Sequence, residues 1–375
     1  MTCSHYSILN HGDYRNIWGM SPAERTRKLL ECFDNPPENI FELESFSGES
    51  ILLLKDNVIY DQNYLKGMAK TPDTLFVNQE GLPVGAYIPK NKIDKATDWL
   101  MGKGDAPELP VLDPEKTAGQ FRNALRKKAE PFALVSTRDN QKELEWYLYK
   151  DSYKGVTDIV TKYIWPVPAY HVTRFCARAG VSPNMVTSIG AILMLAALYL
   201  FWQGEYGLGL LAAWIMTFLD TVDGKLARCT LTSSKWGNIF DHGIDLIHPP
   251  FWYIAWAVGL ADYGAPLPEG WLYPVIIVMF VTYVTGRLAE GYFIYKFSMD
   301  IHIWRKADSL FRLILARRNP NMIILTISWL FGRPDIGLVL ITLWHILTFL
   351  VHLLQIAQAS MAERSGKRIV SWLAQ

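Results

Sequence analysis

The sequence predicts a chain in two parts: a cytosolic α/β domain over residues 1–145, and a membrane all-α bundle of six transmembrane helices over 183–360. A juxtamembrane stretch at 146–182 joins them, and a short cytosolic tail occupies 361–375. Three observations carry this reading. Half of the 375 residues are hydrophobic, and a mean hydropathy of +0.08 is too high for an ordinary soluble enzyme and too low for a chain that lies wholly in lipid. Apolar runs approaching the ~20 residues that span a bilayer begin only after about residue 180. Within those runs stand four aspartates, Asp220, Asp223, Asp241 and Asp245. Ionised carboxylates are costly in a membrane span and mark functional sites there.

A net charge of +1 excludes a strongly electrostatic nucleic-acid binder. Cys3, Cys32, Cys176 and Cys229 are scattered, with no CxxC pair, and read as thiols in a reducing compartment. The N-terminal MTCSHYSILNHGDYRN lacks a basic and then apolar signal, so it is expected to stay in the cytoplasm.

The first part alternates helix and strand signals. SPAERTRKLLECF places Pro22 just inside a helix that begins after Ser21. ILLL, at 51–54, is short enough for a buried strand. DQNYLKGMAKTP reads as a helix, and DTLFVNQEGLPVGAYIP as a hairpin turning near Glu80 and Gly81. GKGDAPELPVLDP reads as a surface loop, and TAGQFRNALRKKAEPFALV as a basic helix and a strand. Two of these pieces, ILLLKDNVIYDQNYLKGM and LFVNQEGLPVGAYI, resemble the later strand, helix and hairpin of a nucleotidyltransferase domain. The Gly-rich nucleotide loop and the downstream Pro-Lys signature of such domains are missing. The resemblance therefore implies a degenerate, regulatory relative, with an unrelated α/β domain as the alternative.

Residues 146–182 mix aromatics with Lys150, Lys154, Lys162, Arg174 and Arg178. Such a mixture suits the membrane interface, while a linker helix packed on the soluble domain is the plainer reading. Six spans are expected after it. They cover 182–202, Gly207 to Ala227, Gly237 to about Leu260, Trp271 to Phe293, a short run at 321–332, and Ile336 to about Ala359. Lys225, Arg228 and Lys235 lie between the second and third spans. Lys296, Arg305, Lys306, Arg312, Arg317 and Arg318 lie between the fourth and fifth, and Arg364, Lys367 and Arg368 in the tail. The opposite loops are nearly free of cations. The positive-inside rule then puts both termini and the aspartates on the cytoplasmic side of an inner or cytoplasmic membrane.

Asp220 and Asp223 are spaced i,i+3, and Asp241 and Asp245 i,i+4, so each pair shares a helix face. Oxygen-only ligands suit Mg²⁺, Mn²⁺ or Ca²⁺. Gly224 and Ala227 leave room beside the first pair, and Arg228 offers a planar fork suited to phosphate. Metal, small residues and an arginine in one groove point to a diphosphate. His242 and His248 read as locally satisfied, and Cys229 has no role.

The pattern D-x2-D-G-x2-A-R-x8-G-x3-D-x3-D, made by Asp220, Asp223, Gly224, Ala227, Arg228, Gly237, Asp241 and Asp245, resembles the signature of the CDP-alcohol phosphotransferase family without departure. The resemblance covers about residues 150–360. It implies an enzyme that transfers a phosphatidyl or substituted phosphoryl group from a CDP-linked donor, usually CDP-diacylglycerol, to an alcohol, with release of CMP. It further implies Asp220, Asp223, Asp241 and Asp245 as ligands of two divalent ions, Mg²⁺ or Mn²⁺, with Asp245 also the base toward the acceptor hydroxyl. Gly224, Ala227 and Arg228 would line the CDP site, Gly237 would allow close packing, and the enzyme would form a homodimer. Arg228 has a plainer reading as a topological anchor.

The acceptor stays open. A phosphorylated polyol, inositol phosphate or glycerol phosphate, would use Arg287, Arg312, Arg317 and Arg318, which otherwise only anchor the topology. Inositol, serine, an amino alcohol or a second lipid are the neutral alternatives, and polyol-type acceptors are favoured. From another class, a six-span ion or metal transporter would spread its acids across several spans. A non-catalytic scaffold is the remaining alternative.

Overall fold

The computed structural model describes residues 3–12, 14–233 and 235–375; for Lys235, Trp236, Asn238, Phe240, Asp241 and His242 it describes only their place in a helix. The chain divides into two compact units. One comprises residues 1–122, 128–152 and 229–231, and the other 123–127, 153–228 and 232–375.

The first unit is built on a sheet. In chain order it holds β1 (His5–Leu9), α1 (Pro22–Glu31), β2 (Glu38–Asn39), β3 (Ser50–Lys55), β4 (Val58–Tyr60), α2 (Gln62–Met68), β5 (Thr74–Val77), β6 (Pro83–Pro89), α3 (Ile93–Leu100) and β7 (Val111–Leu112). Six strands run in the order β2-β1-β3-β6-β5-β7. β1 is parallel to β2 and β3, β6 is antiparallel to β3 and β5, and β7 is parallel to β5. Leu52 and Leu54 of β3 pack with Tyr64, Met68 and Phe76. Ile51 and Leu53 pack on the other face with Leu75, Ala86 and Ile88. Both faces are buried, and so the strand is a continuous apolar run with no alternation.

Local signals set the element ends. Ser21 Oγ accepts from Glu24 N–H at 3.1 Å and starts α1. Asp61 Oδ1 caps α2 by accepting from Asn63 and Tyr64 N–H at 2.9 and 3.1 Å. At the β5–β6 turn Asn78 Oδ1 accepts from Glu80 and Leu82 N–H, and Gly81 takes φ +81°. The chain then forms α4 (Pro114–Thr117), β8 (Phe121–Arg122), β9 (Lys127–Lys128), β10 (Ala133–Val135) and α5 (Gln141–Asp151). β10 pairs antiparallel with β4.

The expected basic helix around residues 117–128 does not form. Between β8 and β9 lie a single 3₁₀ turn, Asn123–Leu125, and Arg126 at φ +48°. Arg122 explains it: its guanidinium is held by Asp61 at 2.7 Å and Asp151 at 2.5 Å, with all three side chains largely buried. A buried guanidinium must stay with its carboxylates, because separating them costs several kcal/mol (about 3–5). Helix propensity differs by only ~0.7 kcal/mol per ordinary residue, so the pairing prevails.

The second unit is helical: α6 (Pro166–Arg178), α7 (Pro183–Trp202), α8 (Tyr206–Cys229), α9 (Lys235–Tyr263), α10 (Leu272–Phe297), α11 (Lys306–Phe311), α12 (Arg318–Leu330) and α13 (Pro334–Arg364). α7, α8, α10 and α13 are long and apolar enough to cross a membrane. They also expose leucine and isoleucine, as at Ile192, Leu195, Leu288, Leu343 and Leu350, which suits lipid and not water. α9 has 29 residues and contains Pro249 and Pro250. α12 has only 13, about 20 Å of helix at 1.5 Å per residue, short of a ~30 Å hydrocarbon core. Four spans are therefore supported by length and composition, and six are not. Before them, a π-helical turn at Val160–Ile164 leads into α6, and Tyr163, Ile164, Val167 and Phe175 are exposed.

An aromatic knot locks this unit. Tyr206 stacks on Trp256 at 4.1 Å and donates its hydroxyl to Trp256 O at 2.6 Å. Trp252 Nε1 donates to Met194 O on α7, and Trp256 Nε1 to Pro334 O at the start of α13. The α7 C-terminus can lie against α9 because Gly204 and Gly259 face each other there. A Cβ on Gly259 would stand 2.0 Å from Phe201 O and 2.7 Å from Gly204 N. Neither backbone atom can rotate away. Gly259→Ala is expected to destabilise the protein by about 1–3 kcal/mol, read as a lower thermal midpoint in detergent. Gly286→Ala on α10, whose Cβ would meet nothing within 4 Å, should leave the midpoint unchanged or slightly raised; equal midpoints for the two variants would contradict this packing.

Candidate active site

Four helices, α7, α8, α9 and α12, contribute to the aspartate region. α8 carries Asp220 and Asp223 one turn apart, and Thr187 of α7 donates to Asp223 Oδ2 at 2.6 Å. The other oxygen, Asp223 Oδ1, is buried with no hydrogen-bond partner. A pocket opens between α7, α8 and α9, lined by Thr187, Gly190, Ala191, Asp220, Asp223 and Ile244. Gly190 and Ala191 present almost no side chain, so the two carboxylates face free space.

Asp245 sits on α9 and is 41% exposed. Arg318, the first residue of α12, links it to α8: Nη2 donates to Asp220 Oδ2 at 2.6 Å, and Nη1 donates to Asp245 Oδ1. One guanidinium therefore holds two of the predicted ligands. Asp223 lies in the same pocket as Asp220. The side chain of Asp241 lies outside the described residues, and α9 places its backbone one turn before Asp245.

Gly224 and Arg228 show why the motif spaces them i,i+4. A Cβ at Gly224 would stand 3.1 Å from Arg228 Nη2, so the missing side chain leaves room for the guanidinium above the helix. Ala227 is half-buried beside it. Gly237 stands in the first turn of α9. His248, expected to be locally satisfied, has Nδ1 2.6 Å from Ile244 O one turn back.

The start of α12 is itself pinned. Asp158 Oδ1 accepts from Val160 N–H, Thr161 N–H and Asn319 Nδ2, the last at 3.0 Å. Burial pushes the Asp158 carboxyl up, but Arg312 and these donors outweigh it and hold it below the usual carboxylate range. The remaining arginines separate from Arg318. Arg287 and Arg317 both meet Glu290 Oε2 on α10, at 3.2 and 2.5 Å, and Arg312 faces Asp158. Arg287 Nε, Arg312 Nε and Nη1, and Arg317 Nε are buried without hydrogen-bond partners.

The donor set fits a hard divalent cation. An unpartnered buried carboxylate oxygen and two further carboxylates match the preference of Mg²⁺ for oxygen, while the one sulfur on the pocket wall, Met216 Sδ, lies 3.7 Å from Arg318 Nη1. Arg318 now supplies positive charge to the same oxygens. Sequence reasoning singled out Arg318 only as an acceptor-side cation, and missed Thr187 and Glu290 altogether. A threonine one turn into the first apolar helix was the available signal for the first, and a lone acid inside an apolar run for the second.

Residues 180–352 match the CDP-alcohol phosphatidyltransferase family. The chain is 27% identical over 184 residues to an archaetidylinositol phosphate synthase of Pyrococcus horikoshii, covering 49% of this chain and 87% of that protein. It is 35% identical over 74 residues to a phosphatidylinositol phosphate synthase of Streptomyces avermitilis, 20% of this chain and 30% of that one. It is 27% identical over 189 residues to human cholinephosphotransferase 1, 46% of this chain and 45% of that one. The chain thus spans well under two thirds of the second and third relatives. The family match and these relatives indicate a CDP-alcohol phosphotransferase, and the four long apolar helices of the chain support an integral membrane protein. Residues 180–352 of this chain form a CDP-alcohol phosphatidyltransferase domain.

Proposed function

We propose that this chain transfers a phosphatidyl group from CDP-diacylglycerol to a phosphorylated polyol, of the inositol phosphate or glycerol phosphate type, and releases CMP. One observation carries the choice of acceptor. Arg317 and Arg318 are consecutive, and they serve different partners. Arg318 lies on Asp220 and Asp245, while Arg317 turns to Glu290 alongside Arg287. Buried guanidinium N–H groups left without partners on Arg287, Arg312 and Arg317 are expensive unless an anion receives them. A phosphate on the acceptor would meet that need next to Asp245. Two of the relatives carry an inositol phosphate synthase name.

In this reading Asp220, Asp223, Asp241 and Asp245 hold two divalent ions, Mg²⁺ or Mn²⁺, which when bound would neutralise the diphosphate and the departing CMP. Arg228 binds the donor phosphates over Gly224, and Ala227 and Gly237 keep the groove open. The acceptor hydroxyl oxygen bonds to the phosphatidyl phosphorus, the bond from that phosphorus to CMP breaks, and Asp245 takes the hydroxyl proton. Asp245 suits that part because it is the most exposed of the three described carboxylates. α9 and α12 complete a six-span bundle with both termini cytoplasmic in the inner or cytoplasmic membrane, and two copies form a homodimer. The N-terminal unit is a degenerate nucleotidyltransferase-like platform. The human relative named cholinephosphotransferase keeps a neutral acceptor, such as an amino alcohol, serine or a lipid, as the second reading.

Incubating the purified full chain with CDP-diacylglycerol, Mg²⁺ and a panel of alcohols should release CMP with inositol phosphate or glycerol phosphate well above inositol, serine or choline. Turnover with serine alone would overturn the acceptor assignment. Asp245→Asn should cut turnover about 10²-fold or more while calorimetric Mg²⁺ binding persists; unchanged turnover would remove Asp245 from the chemistry. Arg317→Ala should raise KM for the phosphorylated acceptor about tenfold or more and leave that for CDP-diacylglycerol unchanged; a neutral acceptor predicts no such split.

A further inference from the structure

Away from the aspartates, three side chains from separate segments converge. Glu290 comes from α10, His302 from the 3₁₀ turn Ile301–Ile303, and His352 from α13. Glu290 Oε1 lies 3.4 Å from His302 Nε2 and 3.2 Å from His352 Nε2, and the three atoms fall within 4.8 Å of one another. His302 is 1% exposed and His352 fully buried.

The hydrogen bonds around His352 determine which of its nitrogens bears the proton. Asp308 accepts at Oδ1 from Arg305 Nη2 and at Oδ2 from Arg305 Nε and N–H, so it acts as an ionised acceptor. Gln355 must therefore turn its Nε2 toward Asp308 Oδ1, 2.9 Å away, and its Oε1 toward His352 Nδ1, also 2.9 Å away. A carbonyl oxygen only accepts, so Nδ1 carries the hydrogen. In the neutral ring Nε2 then holds a lone pair. That lone pair faces the lone pairs of Glu290 Oε1, and neither atom has a hydrogen-bond partner. Two buried acceptors at 3.2 Å repel unless a cation lies between them.

We propose that Glu290 Oε1, His302 Nε2 and His352 Nε2 bind a divalent transition ion of the zinc class, with water, hydroxide or another anion as the fourth ligand. The spacing fits. Ligands about 2.0–2.1 Å from a tetrahedral ion stand about 3.3 Å apart along its edges. The donor set of two imidazoles and a carboxylate suits Zn²⁺ and its neighbours over Mg²⁺. The outer shell has the form metal-bound imidazoles adopt, with the remote N–H of His352 donating to a carbonyl that a carboxylate holds in turn. Arg287 and Arg317 engage the other oxygen, Glu290 Oε2, and leave Oε1 to the ion. Arg317 Nη2 also stands 3.4 Å from His302 Nε2, at the limit of a hydrogen bond. Their positive charge makes an anionic fourth ligand the stable choice. This site is distinct from the aspartate site, where all ligands are oxygens.

The full chain, purified in detergent and dialysed against excess Mg²⁺, should retain about one zinc per chain by mass spectrometry. Reconstituted with Co²⁺, it should show the visible d–d bands of a low-coordinate site, and X-ray absorption should count two imidazoles on the ion. His352→Leu and Glu290→Gln should lose the metal, while Asp220→Asn with Asp223→Asn should keep it. No bound transition metal in the wild-type chain would overturn the proposal and leave a proton shared by His352 and Glu290. So would zinc lost from the aspartate variant and kept by the histidine variant. Should the histidine variant fail to fold, the imidazole count on the wild-type chain decides alone.

Discussion

Carboxylates at the edge of an apolar bundle must be met by positive charge, and Arg318 meets two of them at once. Its two Nη atoms reach Asp220 on α8 and Asp245 on α9. Without it the two helices would bring like charges together in a region of low dielectric, where repulsion is far stronger than in water. The rest of the site depends on where α12 begins. Asn319 is tied to Asp158, Arg317 to Glu290, and Arg318 falls between them. A shift of one residue in that start would rotate Arg318 by about 100° around the helix and away from both aspartates.

Such dependence also explains what could and could not be read from the sequence. The motif residues lie within 26 positions on two helices, and their periods of three and four residues put them on shared faces. Helix starts at Ser21 and Ser182 were legible for the same reason, since a cap acts on its own next turn: each hydroxyl accepts from the N–H three residues on. Thr187, Arg318 and Glu290 act across 36, 98 and 27 residues, and no local pattern encodes such distances. The failed basic helix follows the same rule, because the partners of Arg122 lie 61 and 29 residues away. Length and composition by themselves mark four spans, because α12, at 13 residues, carries too short an apolar run to be read as one on that ground.

Glu290 shows how one buried acid can organise a region that sequence reading passed over. Its Oε2 gathers Arg287 and Arg317, and its Oε1 faces His302 and His352. The carboxylate is thus divided between a cationic side and a side of nitrogen lone pairs. Two guanidiniums on one oxygen already satisfy the charge of the acid, so the imidazoles cannot be there to neutralise it. Burying two rings against an oxygen that needs nothing further is costly, and a small cation shared among the three would offset that cost.

The two halves of this arrangement constrain each other. An ion on Oε1 draws electron density from the carboxylate and loosens the hold of Oε2 on Arg287 and Arg317, freeing their N–H groups for an incoming anion. Those same arginines limit the charge the ion can carry into the site, which favours a bound hydroxide or oxyanion over a neutral fourth ligand. Arg317 is bonded through the chain to Arg318, whose guanidinium lies on Asp220 and Asp245. Any change in how Glu290 holds Arg317 therefore reaches the proposed base through one peptide bond, and a metal at the histidines would act on the reaction by position, without touching either substrate.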